Sequence, residues 1–154
     1  MVAAQRAIGV WIAIDDTDTP YIVYINHATA TSSTGNIAVY KFESGAWQNI
    51  VVPSPVPGGS ANSGATLALR HTSITFNSVG NPVISYFNAN NSNRCHVIVY
   101  DKTAGTWSLN GVISGRDISN NSISRDQSGN LYSSFTDIIS NGSGRSVARV
   151  MKQL

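Results

Sequence analysis

The sequence predicts an all-β protein made of repeated four-stranded antiparallel units, and three observations carry the prediction. The composition is rich in strand and turn formers, one strand-turn-strand segment occurs three times, and a second type of segment follows each copy. Only 12% of the 154 residues are charged, about half the usual share of roughly 25%, and Ser, Asn, Thr and Gly fill the difference. Short runs of Val, Ile, Tyr, Phe and Thr recur, and no stretch holds a 3.6-residue apolar period long enough for a helix. A chain of this length can bury a real core as one domain without disulfides or metal.

The first repeated segment reads IAIDDTDTPYIVYIN (Ile12 to Asn26), ITFNSVGNPVISYFN (Ile74 to Asn88) and ISRDQSGNLYSSFTD (Ile123 to Asp137). Each predicts a strand, a turn and a strand. The turns begin with Asp15, Asn77 and Asp126 and carry Asp18, Gly80 and Gly129 at the fourth position. An Asx side chain can bond the backbone that follows it, and Gly or Asp tolerates the unusual φ such a turn needs. The three aspartates Asp15, Asp16 and Asp18 therefore read as turn chemistry; the Gly and distal Glu of a calcium loop are missing.

The second segment reads NIAVYKFESGAW (Asn36 to Trp47), HVIVYDKTAGTW (His96 to Trp107) and SVARVMKQL (Ser146 to Leu154), with Tyr40, Tyr100 and Val150 coinciding. The first two copies pass through a Gly turn into a fourth strand ending near Val52 and Ile113. The third stops before its tryptophan, so one strand is missing. The stretch from Trp47 to Ile74 exceeds that from Trp107 to Ile123 by about 11 residues, assigned to a Pro, Gly and Ser-rich loop. Without it the period is about 50, in the range of propellers and related arrays. The units are expected at about 8–52, 69–113 and, incomplete, 118–154, with the insertion at about 53–66.

This pattern resembles the bacterial β-propeller repeats of the form D-x-x-G-x-P-x-V-x-Y … V-x-x-Y … G-x-W. The resemblance spans nearly the whole chain from about Ile8 and implies a fold more than an activity. The turn DKTAGTW is also similar to the Asp-box of sialidase-like propellers, but the spacing from Asp101 to Gly105 departs from it and SGAW lacks the aspartate. Sialidase catalysis is not carried over. Propellers have four to eight blades, so about three blades are expected to close a six-bladed ring by dimerisation. The segment Val2 to Gly9 of one chain is the candidate for the strand the other's third blade lacks. A β-sandwich or irregular barrel is the alternative.

In such blades the turns between strands 1 and 2 and between strands 3 and 4 share one rim. The opposite rim carries the longer, varied loops His27 to Gly35, Asn88 to Arg94 and Asp137 to Arg145, and the insertion after Val52. Binding is expected there, because variable loops on a rigid scaffold carry function. Arg70 and His71 open the first strand of the second unit, at the mouth of the expected channel. Trp11 has no counterpart in the other copies and is the candidate sugar-stacking aromatic, whereas Trp47 and Trp107 are expected to pack between blades. The ligand-binding candidates are thus Trp11, Arg70, His71, His27, Arg94, Arg116 and Asp137.

No catalytic residue, metal site or cofactor is assigned. His27, His71 and His96 lack a second ligand at metal-site spacing, and Glu43 is the only glutamate. No nucleophile elbow, phosphate loop or HExxH motif occurs. Cys95, the single cysteine, reads as apolar filler. Ten basic residues are scattered, giving a formal charge of +2 without the clustered footprint of a nucleic-acid or membrane binder. No apolar run approaches a membrane span and the first residues do not form a signal peptide, so a soluble chain of unassigned compartment is expected. The expected function is a non-enzymatic module binding a glycan or a protein through the varied rim. A carboxylate-dependent hydrolase or lyase, and a purely structural subunit, are the alternatives.

Overall fold

The computed structural model describes residues 6–27, 35–53, 57, 72–88, 94–115, 117–139 and 145–153. Among them there are eleven strands in three antiparallel sheets and no helix. Blade 1 comprises β1 (Arg6–Ile14), β2 (Pro20–His27), β3 (Asn36–Glu43) and β4 (Ala46–Asn49). Blade 2 comprises β5 (Ser73–Phe76), β6 (Pro82–Asn88), β7 (Arg94–Asp101) and β8 (Thr106–Val112). Blade 3 comprises β9 (Ile118–Arg125), β10 (Leu131–Ile139) and β11 (Arg145–Lys152). Each is a meander whose strands pair in chain order.

The same turn is built three times. The N–H of Asp15, Asn77 and Asp126 donates to the carbonyl four residues on, at 3.0 Å in each case. The side-chain oxygen of each then accepts the N–H groups two and four residues on: Thr17 and Thr19 at 2.9 and 3.1 Å, Val79 and Asn81 at 3.2 and 2.9 Å, Ser128 and Asn130 at 2.9 and 2.8 Å. The fourth residue takes a positive φ of 60° at Asp18, 78° at Gly80 and 85° at Gly129.

The blades stack through two different faces. The β2 and β3 side chains Tyr21, Val23, Ile25, Ile37 and Val39 of blade 1 form one core cluster with Ile74, Phe76, Ile84, Tyr86 and Ile98 of blade 2, with Tyr100 and Trp107 packed against it. The opposite face of blade 2, with Val83, Phe87, Cys95 and Val97, meets Ile118, Ile123 and Phe135 of blade 3. The first strands of the blades lie side by side, β1 against β5 and β5 against β9. Thr72 Oγ1 donates to Gly9 O at 2.6 Å, and Ile123 N–H donates to Ser73 Oγ at 3.1 Å. Blade 2 is therefore covered on both faces, which a two-layer sandwich does not allow; radial stacking of propeller blades does.

Three expectations are corrected by the register. Ile22 and Ile84, equivalent through the shared turn, face Tyr40 and Ile98, and Ser133 faces Met151. The equivalent of Tyr40 is thus Ile98 or Met151, not Tyr100 or Val150. The cause lies in the third turns: blade 1 uses a two-residue turn at Ser44 and Gly45 (φ 54° and 77°), whereas blade 2 uses a longer one built on Asp101 and Gly105. A one-residue slip reverses which face a side chain meets, and it puts Val150 on the bare face of blade 3. Second, Arg6, Ala7 and Ile8 pair with His27, Asn26 and Ile25 of their own blade, so that part of the Val2 to Gly9 segment is not free for exchange; Val2 to Gln5 lie outside the described residues. Third, Trp107 packs between blades and donates to Val51 O at 3.1 Å, but Trp47 stays 45% exposed, because among the described residues no blade packs on that side of blade 1.

Candidate functional site

The regular rim is a set of inter-blade ties. Lys102 Nζ of blade 2 sits 3.0 Å from Asp15 Oδ2 of blade 1, over the rings of Tyr21 and Phe76 at 5.4 and 5.6 Å. Burial pushes the Asp15 carboxyl up, but the hydrogen bonds from Thr17, Lys102 and Thr19 outweigh it and hold the pKa at about 2. Arg125 of blade 3 donates from Nη1 to Asn77 O of blade 2 at 2.8 Å and from Nη2 to Asp16 Oδ1 of blade 1 at 2.9 Å. One guanidinium thus links all three blades. These groups are occupied in holding the fold and leave the opposite rim as the candidate site.

At that opposite rim the best-defined feature is Asp137, near the end of β10. The residue is 4% exposed; Oδ2 accepts from Arg149 Nε of β11 at 2.6 Å, and Oδ1 is buried without a hydrogen-bond partner among the described residues. The side chain of Arg149 is half exposed. A buried carboxylate fixed by one guanidinium keeps an acceptor oxygen free of solvent competition. The Asp117 carbonyl accepts from Ile138 N–H at 2.8 Å, so Asp117 and Asp137 lie at the same end of neighbouring strands.

The other candidates distribute differently. His27, at the end of β2, is fully buried, with the position of a Gly35 Cβ only 3.2 Å from its ring; it packs under the rim. Arg94 begins β7, partly buried, with its Nε lacking a partner among the described residues. Trp11 is 42% exposed but lies along β1, opposite Val23, rather than in a rim loop. Arg70, His71 and Arg116, the insertion and the interiors of the varied loops lie outside the described residues. Arg149 was not singled out by sequence reasoning. Its signal was a lone cation within the apolar alternation SVARVM, one strand from Asp137.

No group of three or more His, Cys, Asp or Glu side chains that could hold a metal occurs among the described residues, and none of their elements is a helix long and apolar enough to cross a membrane. Cys95 is fully buried, its thiol pushed well up by burial, and its N–H donates to Ser114 Oγ at 2.8 Å.

No protein-family model matches the sequence, and no curated protein matches it. Solved structures do match. A fucose lectin from Kordia zhangzhouensis, determined with methyl-fucoside, is 14% identical with a TM-score of 0.56, covering 93% of this chain and 92% of the lectin. A GH93 α-L-arabinofuranosidase of Fusarium graminearum, determined with arabinobiose, is 11% identical with a TM-score of 0.67, covering 98% of this chain and 47% of the enzyme. A protein of unknown function from Dyadobacter fermentans is 11% identical with a TM-score of 0.61, and this chain spans 46% of its length. At these identities the likeness shows the fold alone: the chain is an all-β array of propeller blades.

Proposed function

We propose that this chain is a non-enzymatic binding module that recognises a glycan through the varied rim of its blades, in a ring completed by a second copy. The observation that carries the reading is the Asp137 and Arg149 pair: an acceptor oxygen, Oδ1, without a partner among the described residues, beside a half-exposed guanidinium. The half-exposed Arg149 guanidinium has N–H groups to donate to sugar hydroxyls, and the buried Asp137 carboxylate fixes its orientation. Two of the similar folds were determined with sugars bound, which supports the ligand class. The test is a glycan array on the folded chain, followed by titration of the strongest binder. Asp137→Asn is expected to weaken binding about tenfold or more, a change of roughly 1.4 kcal/mol, with the fold unchanged by circular dichroism. An array blank for folded protein refutes the glycan reading.

One observation favours a second reading. Asp117 and Asp137 share one end of blade 3, and glycoside hydrolysis uses two carboxyl groups flanking the bond to be cut. Turnover of nitrophenyl glycosides that disappears in Asp137→Asn would establish a hydrolase; binding without turnover establishes the module.

A further inference from the structure

Each blade presents two unlike faces, and among the described residues one face of blade 1 and one of blade 3 meet no neighbouring blade. In blade 2 the bulky face carries Ile74, Phe76, Tyr86, Ile98, Tyr100 and Trp107, all packed against blade 1. Through the shared turns and the strand register, the same six positions in blade 1 are Ile12, Ile14, Tyr24, Tyr40, Phe42 and Trp47. Among the described residues no other blade packs on this face: Ile12 and Ile14 are each 60% exposed, Phe42 39% and Trp47 45%, while Tyr40 is half-buried and Tyr24, at 7%, is buried. Tyr24 and Tyr40 stack in parallel at 6.1 Å, and Phe42 meets Trp47 edge-on at 5.3 Å, so the face is pre-formed.

The receiving face follows the opposite pattern. Val23, Ile25 and Val39 of blade 1 receive blade 2, and their equivalents Ser85, Phe87 and Val97 receive blade 3. In blade 3 these positions are Ser134, Thr136 and Val150. With Ser122, Ala148, Phe135 and Arg149 they line an open recess of about 250 Å³, and Val150 is 71% exposed. The small side chains among them leave room on blade 3 where blade 1 offers bulky ones.

We infer that the bulky face of blade 1 in one copy docks in the recess on blade 3 of a second copy, and that two such contacts close a ring of two chains. The argument is continuity: the contact repeats, between chains, the interface that joins blade 2 to blade 1 and blade 3 to blade 2 within the chain. The chain also spans 46% and 47% of two of the solved chains it matches, so two copies reach their size. An edge where large apolar side chains stand together in water is unfavourable, and a symmetric pair covers both edges at once. This deepens the ring named above, and because Arg149 also lines the recess it sets the docked blade beside the proposed ligand site.

The experiment is light scattering and sedimentation of the full chain at micromolar concentration, with circular dichroism confirming the fold of each variant. The expected mass is twice the 16.4 kDa of one chain. Ile12→Lys places a charge on the bulky face, and Ser134→Trp fills the recess; both positions are exposed, so both variants are expected to fold and to run as monomers. A monomeric wild type, or variants that stay dimeric, each overturns the inference. Glycan binding measured on the same samples separates the two proposals, since a dimer without glycan binding refutes only the ligand reading.

Discussion

Asp15→Asn separates the charge of the inter-blade tie from the turn that carries it. Asparagine can serve that turn, because Asn77 accepts the N–H groups of Val79 and Asn81 in the equivalent place. What the substitution removes is the attraction between the Asp15 carboxylate and Lys102, 3.0 Å away. A carboxyl lowered from 3.8 to about 2 is worth at most roughly 2.5 kcal/mol of stability at neutral pH. The Lys102 side chain is 37% exposed, so solvent screening reduces the ion-pair share to about 1 kcal/mol. The folded pKa is depressed, so this stability is fully present above the unfolded value near 4 and is lost as the pH falls through 4 toward about 2. Urea unfolding at pH 7, 4 and 3 is expected to show the variant about 1 kcal/mol less stable at pH 7, with the gap closing as the pH falls. A gap of equal size at pH 7 and pH 3 refutes the charge argument, and no gap at pH 7 refutes the tie itself.

Two further predictions rest on burial and backbone geometry. Gly129 combines a φ of +85° with the position of its Cβ 2.7 Å from Ser78 Cβ, so the third turn cannot move aside without leaving the second. Gly129→Ala is expected to cost about 1–3 kcal/mol, read by urea unfolding, and a loss under half a kcal/mol contradicts the close approach. His96, 1% exposed on β7, is depressed first by burial and then by the charge of Arg94. A base lowered in the fold leaves the native state at a disadvantage as the unfolded chain takes up a proton, so stability is present above the unfolded value near 6.5 and falls below it. An NMR titration midpoint of the His96 ring at or above the ordinary histidine value contradicts this.

The repeat was readable in the sequence because the Asx turn is chemically specific. Asp15, Asn77 and Asp126 mark the same backbone position in three dissimilar sequences, and once they are aligned the alternation of each strand follows. The second segment was misaligned because its landmark, the G-x-W turn, is preceded by turns of different length. Ser44 with Gly45 closes a tight hairpin, whereas Asp101 closes a longer one, and a tyrosine at matching sequence distance then meets a different partner strand position. The site was less readable. Asp137 was found from its place beside a varied loop, but its partner Arg149 lies on another strand, and only the pairing of Phe135 with Arg149 brings the two together. The lack of a counterpart to Trp11 in the other blades indicates exposure and says nothing of which rim it serves.

The two-faced blade also explains why composition alone could not distinguish a ring from a sandwich. A sandwich sheet needs one apolar face, and period-2 alternation with polar residues outside satisfies it. Blade 2 alternates between two apolar faces of unlike bulk, Ile84 and Ile98 on one side and Val83 and Val97 on the other, all fully buried. Such a strand reads as continuously apolar, as in IVY and VISYF, and that run appears in blades 1 and 2 but not in blade 3, where LYSSFTD has small polar residues on one side. Blade 3 is therefore built as an acceptor of large side chains, and blade 1, with IAI on β1, as their donor. Stacking in one direction only follows from that difference, and it makes the bare bulky face of blade 1 and the bare recess of blade 3 complementary rather than merely exposed.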